Sequence, residues 1–162
     1  MCYQCYEDSN KDRIHKFLKL IDEEFVPPLS ERVCLDDYSC KLSKKACNLF
    51  VVRGGVDIAH VAFYCNDKER SIAYISSLGI LSAYYGSGAA GYLLEKVCDE
   101  CRNKKMLLLR LQVYNGNVRS VKFYQKHGFT FFSANIMEKS LLMNDLCKSD
   151  IYPDLGLLIG LG

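Results

Sequence analysis

Apolar positions along this chain change period several times, and each change marks an element. Ile14, Phe17, Leu18, Ile21 and Phe25 recur at three- and four-residue steps, which predicts an amphipathic helix over residues 11–25. Pro27-Pro28 ends it, because the residue before a proline is pushed out of the helical region. Leu35, Tyr38, Leu42 and Ala46 mark a second helix. Residues 49–53, 57–66 and 71–81 then read as three strands. The turns between them, Arg53-Gly-Gly55 and Asn66-Asp67-Lys68, are too short for a crossover, so the three form an antiparallel meander. A helix follows with Ala90, Leu93, Leu94, Val97, Cys98 and Cys101 on one face. Next come a strand over 106–113, a helix over 117–127, and strands near 129–133 and 136–144. Residues 1–9 leave room for one short strand or none.

The junction between the third strand and its helix is the most informative stretch. It runs Leu78-Gly-Ile-Leu-Ser-Ala-Tyr-Tyr-Gly-Ser-Gly-Ala-Ala-Gly-Tyr-Leu-Leu94. A strand turning through Gly86, Ser87, Gly88, Ala89, Ala90 and Gly91 into a helix start gathers unpaired backbone N–H groups at the positive end of the helix dipole. That is an anion cradle made of backbone. The same pattern also serves as a plain tight connection.

A second motif follows, with Asn117, Ser120, Tyr124, Gly128 and Phe129 spaced over one helix and its stop. Together the two motifs resemble the acyl-CoA-binding core of the GNAT superfamily of N-acetyltransferases. The glycine-rich pattern of that superfamily stands here as Tyr85-Gly-Ser-Gly88-Ala-Ala90. The resemblance spans roughly residues 10–146. It implies an α/β fold of the α+β type, with a mixed, mostly antiparallel sheet of six to seven strands flanked by helices. Residues 1–146 would form the acetyltransferase domain and 147–162 a C-terminal tail.

The resemblance also implies a chemistry. Acetyl-CoA would be the co-substrate, with its pyrophosphate on the backbone of Gly86 to Gly91. Its pantetheine arm would pair with Leu78, Gly79 and Ile80, on a strand that carries a bulge in the family; Gly79 suits one. The N–H of Ile80 would polarise the thioester carbonyl. Asn117 would touch the CoA arm, and it also reads as a helix N-cap. Tyr124 would protonate the leaving thiolate, and it also reads as a core tyrosine. The acceptor is an amine, on a small molecule or a protein, bound between the first two helices and the last two strands. The loop from Phe25 to Val33 is where specificity is expected, with Arg32 able to pair with a carboxylate or phosphate.

Two residues depart from the family pattern. Tyr85 stands where Arg or Gln is usual. Gln112 stands where some relatives carry a catalytic glutamate, and an amide cannot accept a proton. Glu23, Glu24, Glu31 and Asp36 are candidate bases on the acceptor side. His60 lies on a strand and faces either the cleft or the core. His127 precedes Gly128, where a cation suits the end of a helix. These departures keep a second reading open, a non-catalytic acyl-CoA-binding or sensing domain.

Composition narrows the picture further. At 162 residues, with 49% hydrophobic and 25% charged, the chain suits one globular domain. A net charge of +2 with no basic stripe argues against nucleic acid. No apolar run is long enough to span a membrane. The start has neither the basic nor the apolar run of a signal peptide. Nine cysteines, an odd count, fit free thiols in a reducing cytoplasm. The pairs Cys2/Cys5 and Cys98/Cys101 could supply zinc ligands, but the second pair falls on an apolar helix face and reads as core, so no metal is expected. A monomer or homodimer is expected. The apolar tail from Cys147 to Gly162 is expected to dock on the body or a partner subunit, or to be disordered.

Overall fold

Asn10 starts the first helix: its side-chain oxygen accepts from the Arg13 backbone N–H at 2.9 Å. This helix, α1, runs Lys11–Leu20 and stops short of residue 25. Asp22, Glu23 and Glu24 follow, and acidic groups at a helix C-terminus oppose its dipole. They form a short 3-10 turn instead. The second helix, α2, spans Leu35–Lys45, with Asp36 and Asp37 in its first turn and Lys44 and Lys45 in its last. That charge order favours the dipole at both ends.

The computed structural model describes residues 2–142, so the expected tail lies outside the described residues. The strands are β1 Gln4–Glu7, β2 Cys47–Arg53, β3 Val56–Asp67, β4 Ile72–Ile80, β5 Leu108–Gln112, β6 Thr130–Phe131 and β7 Ile136–Ser140. The remaining helices are α3 Ala89–Asn103 and α4 Val118–Lys126. The strands form one seven-stranded sheet in the order β1-β2-β3-β4-β5-β7-β6. Only β4 and β5 pair in parallel; every other pair is antiparallel. The fold is the mixed α/β architecture that the motifs imply. β3 extends through Asp67, and the turn falls one step later than expected. Asp67 anchors it by accepting from the backbone and side chain of Arg70 at 3.1 and 2.7 Å.

Helices cover both faces of the sheet, so the central strands are apolar on both sides. Phe50 and Ala62 face α1 and α2, where Ile14, Phe17, Leu18, Ile21 and Leu42 are buried. Leu49, Val51, Val61 and Phe63 face α3, through Leu93, Leu94, Val97, Cys98 and Cys101. Cys98 and Cys101 are therefore core residues, and the Cys101 sulfur meets that of Cys65 on β3 at 3.5 Å. Arg13 ties α1 to the sheet. It bonds Asp57 at 2.9 and 2.5 Å and Asp8 at 2.8 Å, with its guanidinium 4.2 Å above the Phe50 ring.

One irregularity positions the site. β4 pairs with β5 only from Ile72 to Ile75, and Ser76 is then skipped in the pairing with β3. Ser76 is the bulge, not Gly79, which pairs regularly with His60. Gly79 is a glycine for a steric reason: a Cβ there would overlap Ile21 and touch Phe25 at 3.4 Å. Beyond the bulge β4 continues to Ile80 without a partner on its β5 side, and the sheet opens into a gap.

Candidate active site

The gap has a defined polar edge. The Leu81 N–H donates to the Ile58 carbonyl of β3 at 2.9 Å. Successive N–H groups of an extended strand face opposite edges. Ile80 and Leu78 therefore turn theirs away from β3, into the gap.

The glycine turn closes one end of this gap. Gly86 has φ 76° and Gly88 φ 88°, a left-handed backbone that other residues adopt only under strain. A Cβ at either position would meet nothing, so the constraint is conformation rather than space. Gly88 caps α3 without a side-chain hydrogen bond. Ser87 Oγ accepts from Ala89 N at 3.3 Å, and among the described residues the N–H groups of Ala90 and Gly91 have no protein acceptor. Tyr3, just before β1, buttresses the turn. Its hydroxyl donates to the Ser87 carbonyl at 2.7 Å, and its ring lies 5.6 Å from that of Tyr92.

A cavity of about 600 Å³ fills the space between the turn, β4 and α4. Of the residues expected to hold the cofactor, Leu78, Gly79, Ile80, Gly86, Gly88, Ala90, Gly91, Asn117 and Tyr124 line it. Two do not. Ala89 is fully buried against the core, and Ser87 is spent on the turn itself. Gly91 has a steric reason to be glycine: a Cβ would lie 3.0 Å from the His127 ring.

A second cavity, of about 390 Å³, lies along the same gap. It shares Phe25, Leu78, Asn117, Ser120 and Tyr124 with the first. Its other walls include Val26, Pro27, Arg32, Tyr74 and Gln112. Among the described residues no carboxylate lines it.

Tyr124 stands between the two. Only 8% of it is exposed, and its ring packs edge-on against Phe123 and Phe129, at 5.2 and 5.4 Å between centroids. Burial pushes its pKa above the ordinary 10.0, so the phenol stays protonated at neutral pH. Asn117 caps α4: its side-chain oxygen accepts from Ser120 N at 3.2 Å. Among the described residues its amide nitrogen has no partner.

No local pattern in the sequence announces the junction at the cavity mouth. The Tyr85 hydroxyl donates to the Glu24 carboxylate, and Arg119 lies 4.1 Å over the Tyr85 ring. Three distant segments meet there, and Arg119 brings a cation to the place where Tyr85 lacks one. Lys126 adds a second positive charge to the lining, against Glu24 and Glu95.

The other candidates separate cleanly. His60 is fully buried on the face of α1 and α2, hydrogen-bonded to Asn48 at 3.0 Å and 4.7 Å from the Phe50 ring. It belongs to the core, not the cleft. His127 lines the first cavity beside Phe123, at 4.6 Å. Burial first, then Lys126 and Lys139, lower its pKa, so it favours the neutral form rather than a cation suited to the helix end. Asp36 pairs with Lys11 at 3.0 Å, and Glu23 and Glu31 line neither cavity. Among the described residues no group of three or more His, Cys, Asp or Glu side chains could hold a metal. No described helix is long and apolar enough to cross a membrane.

A sheet opened beside a bulge and a glycine turn starting a helix together define a class. Residues 12–129 match the model of the acetyltransferase (GNAT) family, and the chain belongs to that family of acyltransferases. The fold is similar to that of Ard1 from Thermoplasma volcanium, at 16% identity and a TM-score of 0.71, over 88% of this chain and 100% of that one. It is similar to PaiA N-acetyltransferase from Thermoplasma acidophilum, solved in complex with coenzyme A, at 16% identity and a TM-score of 0.66, over 86% and 99%. The ribosomal-protein-S18-alanine N-acetyltransferase from Escherichia coli matches at 15% identity and a TM-score of 0.67, over 88% and 96%. No curated protein matches in sequence.

Proposed function

We propose that this chain transfers an acetyl group from acetyl-CoA directly to an amine held in the second cavity. The observation that carries this reading is the pair of cavities meeting at Tyr124, one of them walled by the unpaired backbone donors of the glycine turn. The residues fit the cofactor. The free N–H groups of Ala90 and Gly91 suit a pyrophosphate, with Arg119 and Lys126 adding positive charge. The open edge of β4 suits a pantetheine arm. The chemistry then follows from the chain's own groups. The amine nitrogen attacks the thioester carbon while the Ile80 N–H stabilises the charge growing on oxygen. The carbon–sulfur bond breaks, Tyr124 gives its proton to the departing sulfur, and the amine releases its own proton.

The cofactor assignment is tested by thermal unfolding. A ligand that binds only the native state at about a hundred times its Kd adds about 2.7 kcal/mol, or roughly 5–10 °C in a domain of this size. Acetyl-CoA is expected to give such a shift. Gly88→Val, which strains the φ 88° that opens α3, is expected to remove the shift while the protein stays folded by circular dichroism. A full shift in the variant sinks the cradle.

One observation favours the second reading, an acyl-CoA-binding domain without turnover. Gln112 lines the acceptor cavity where some relatives carry glutamate, and no carboxylate replaces it among the described residues. With no dedicated base, proton removal depends on water, so kcat/KM is expected to climb with pH toward the acceptor's own pKa. Gln112→Glu is expected to move that rise to lower pH. A wild-type rise centred near 6, the range of a histidine, would reveal a base that this reading lacks.

A further inference from the structure

The walls of the second cavity carry more information than its place beside Tyr124. Of the described residues that line it, Arg32 alone carries a charge. The loop bearing Arg32 is fixed at three points. Asp22 accepts from the Ser30 backbone N–H at 2.7 Å and from its hydroxyl at 2.5 Å. Leu29 is buried among Ile14, Phe17 and Ile21. The Arg32 N–H donates to the Leu29 carbonyl at 3.0 Å, closing the turn. Its guanidinium makes no salt bridge among the described residues.

The rest of the lining offers neutral polar groups. Gln112, Asn115 and Asn135 contribute amides, and Tyr74 a phenol. A ligand bearing several positive charges would find no carboxylate among the described lining residues to offset its lost hydration. A ligand bearing an oxyanion would meet a preformed cation whose planar fork matches carboxylate and phosphate.

We infer that the acceptor is a small amine that also carries an oxyanion, a carboxylate or a phosphate, held by Arg32 so that its amine reaches the gap beside Tyr124. This rests on the acetyl-transfer reading. A cavity of about 390 Å³ suits an amino acid or an amino phosphate rather than a folded protein surface. Arg32 is then a specificity-determining residue. It selects which amine is bound and takes no part in proton transfer.

The test uses matched pairs that differ only in the anion: an amino acid against its amide, and phosphoethanolamine against ethanolamine. Calorimetric titration into the CoA-saturated protein reads binding, and thiol release from acetyl-CoA reads turnover. The anion-bearing member of at least one pair is expected to bind at least tenfold tighter. Whichever pair responds distinguishes carboxylate from phosphate. Arg32→Gln is expected to erase that difference and raise KM for the anion-bearing acceptor at least tenfold, with the acetyl-CoA thermal shift retained. Arg32→Lys should recover part of the preference. Equal binding of the two members of both pairs, failure of all four to bind, or a preference that survives Arg32→Gln overturns the assignment. The acetyl-transfer reading fails separately, if acetyl-CoA itself gives no thermal shift.

Discussion

Replacing Tyr124 with phenylalanine is expected to lower kcat about a hundredfold while acetyl-CoA binding stays nearly intact. The substitution isolates one atom. The Tyr124 ring holds its place by packing on Phe123 and Phe129, and phenylalanine keeps those contacts. Among the described residues its hydroxyl makes no hydrogen bond, so its removal strands no buried partner there and stability should hardly change. The departing thiolate is then left to take its proton from water. A group that acts only as the bond breaks changes kcat and kcat/KM together and leaves ground-state binding alone. Because burial lifts the phenol above 10.0, no fall in rate from its ionisation is expected below that pH in the wild type. The measurements are steady-state kinetics and the acetyl-CoA thermal shift for both proteins. Turnover near the wild-type rate in Tyr124→Phe would reduce this residue to a wall of the cavity.

The parts of the site that depend on neighbouring residues alone are legible in the sequence. Gly86 and Gly88 announce a left-handed turn, and Asn117 announces the cap of α4, because both roles are satisfied within a few residues. The bulge is hidden for the opposite reason. Ser76 leaves the ladder because β5 parts from β4 there, a pairing between distant segments that serine itself does not signal. Gly79 has the look of a bulge residue, yet it is small to admit Ile21 and Phe25. β1 has only four residues at a sheet edge, too few for its alternation to stand out. The contact of Tyr85 with Glu24 joins positions 61 residues apart, Arg119 comes from a third segment, and no local pattern predicts either. It answers the apparent defect at Tyr85: the cation missing from the motif arrives from α4. The place of His127 at a helix end favours a cation, but burial decides its charge.

His60 carries a consequence for stability rather than catalysis. It is fully buried among Phe17, Phe50 and Asn48, and burial pushes its pKa from 6.5 down to about 3. The ring is therefore neutral in the folded state. Since Asn48 Oδ1 only accepts, the facing Nε2 carries the proton and donates at 3.0 Å. The other ring nitrogen has no partner among the described residues. A depressed folded-state pKa means the unfolded chain binds the proton first as pH falls. The stability linked to His60 is then complete above about 6.5 and is lost progressively between 6.5 and 3. The slope is about 1.4 kcal/mol per pH unit, so from pH 7 to pH 5 the loss is about 2 kcal/mol. His127, also lowered, adds a contribution of the same sign. Asp8 and Asp67, held low by hydrogen bonds, begin to act only below about pH 5 and leave the range from pH 7 to pH 5 clear. Urea unfolding at pH 7, 6 and 5 is expected to show this loss in the wild type. His60→Gln keeps a donor for Asn48 but cannot titrate, so it is expected to be less stable at pH 7 and to follow a visibly flatter pH curve. Parallel curves for the two proteins would mean that His60 takes up its proton without unfolding the layer of α1 and α2, and the buried, neutral assignment would fall.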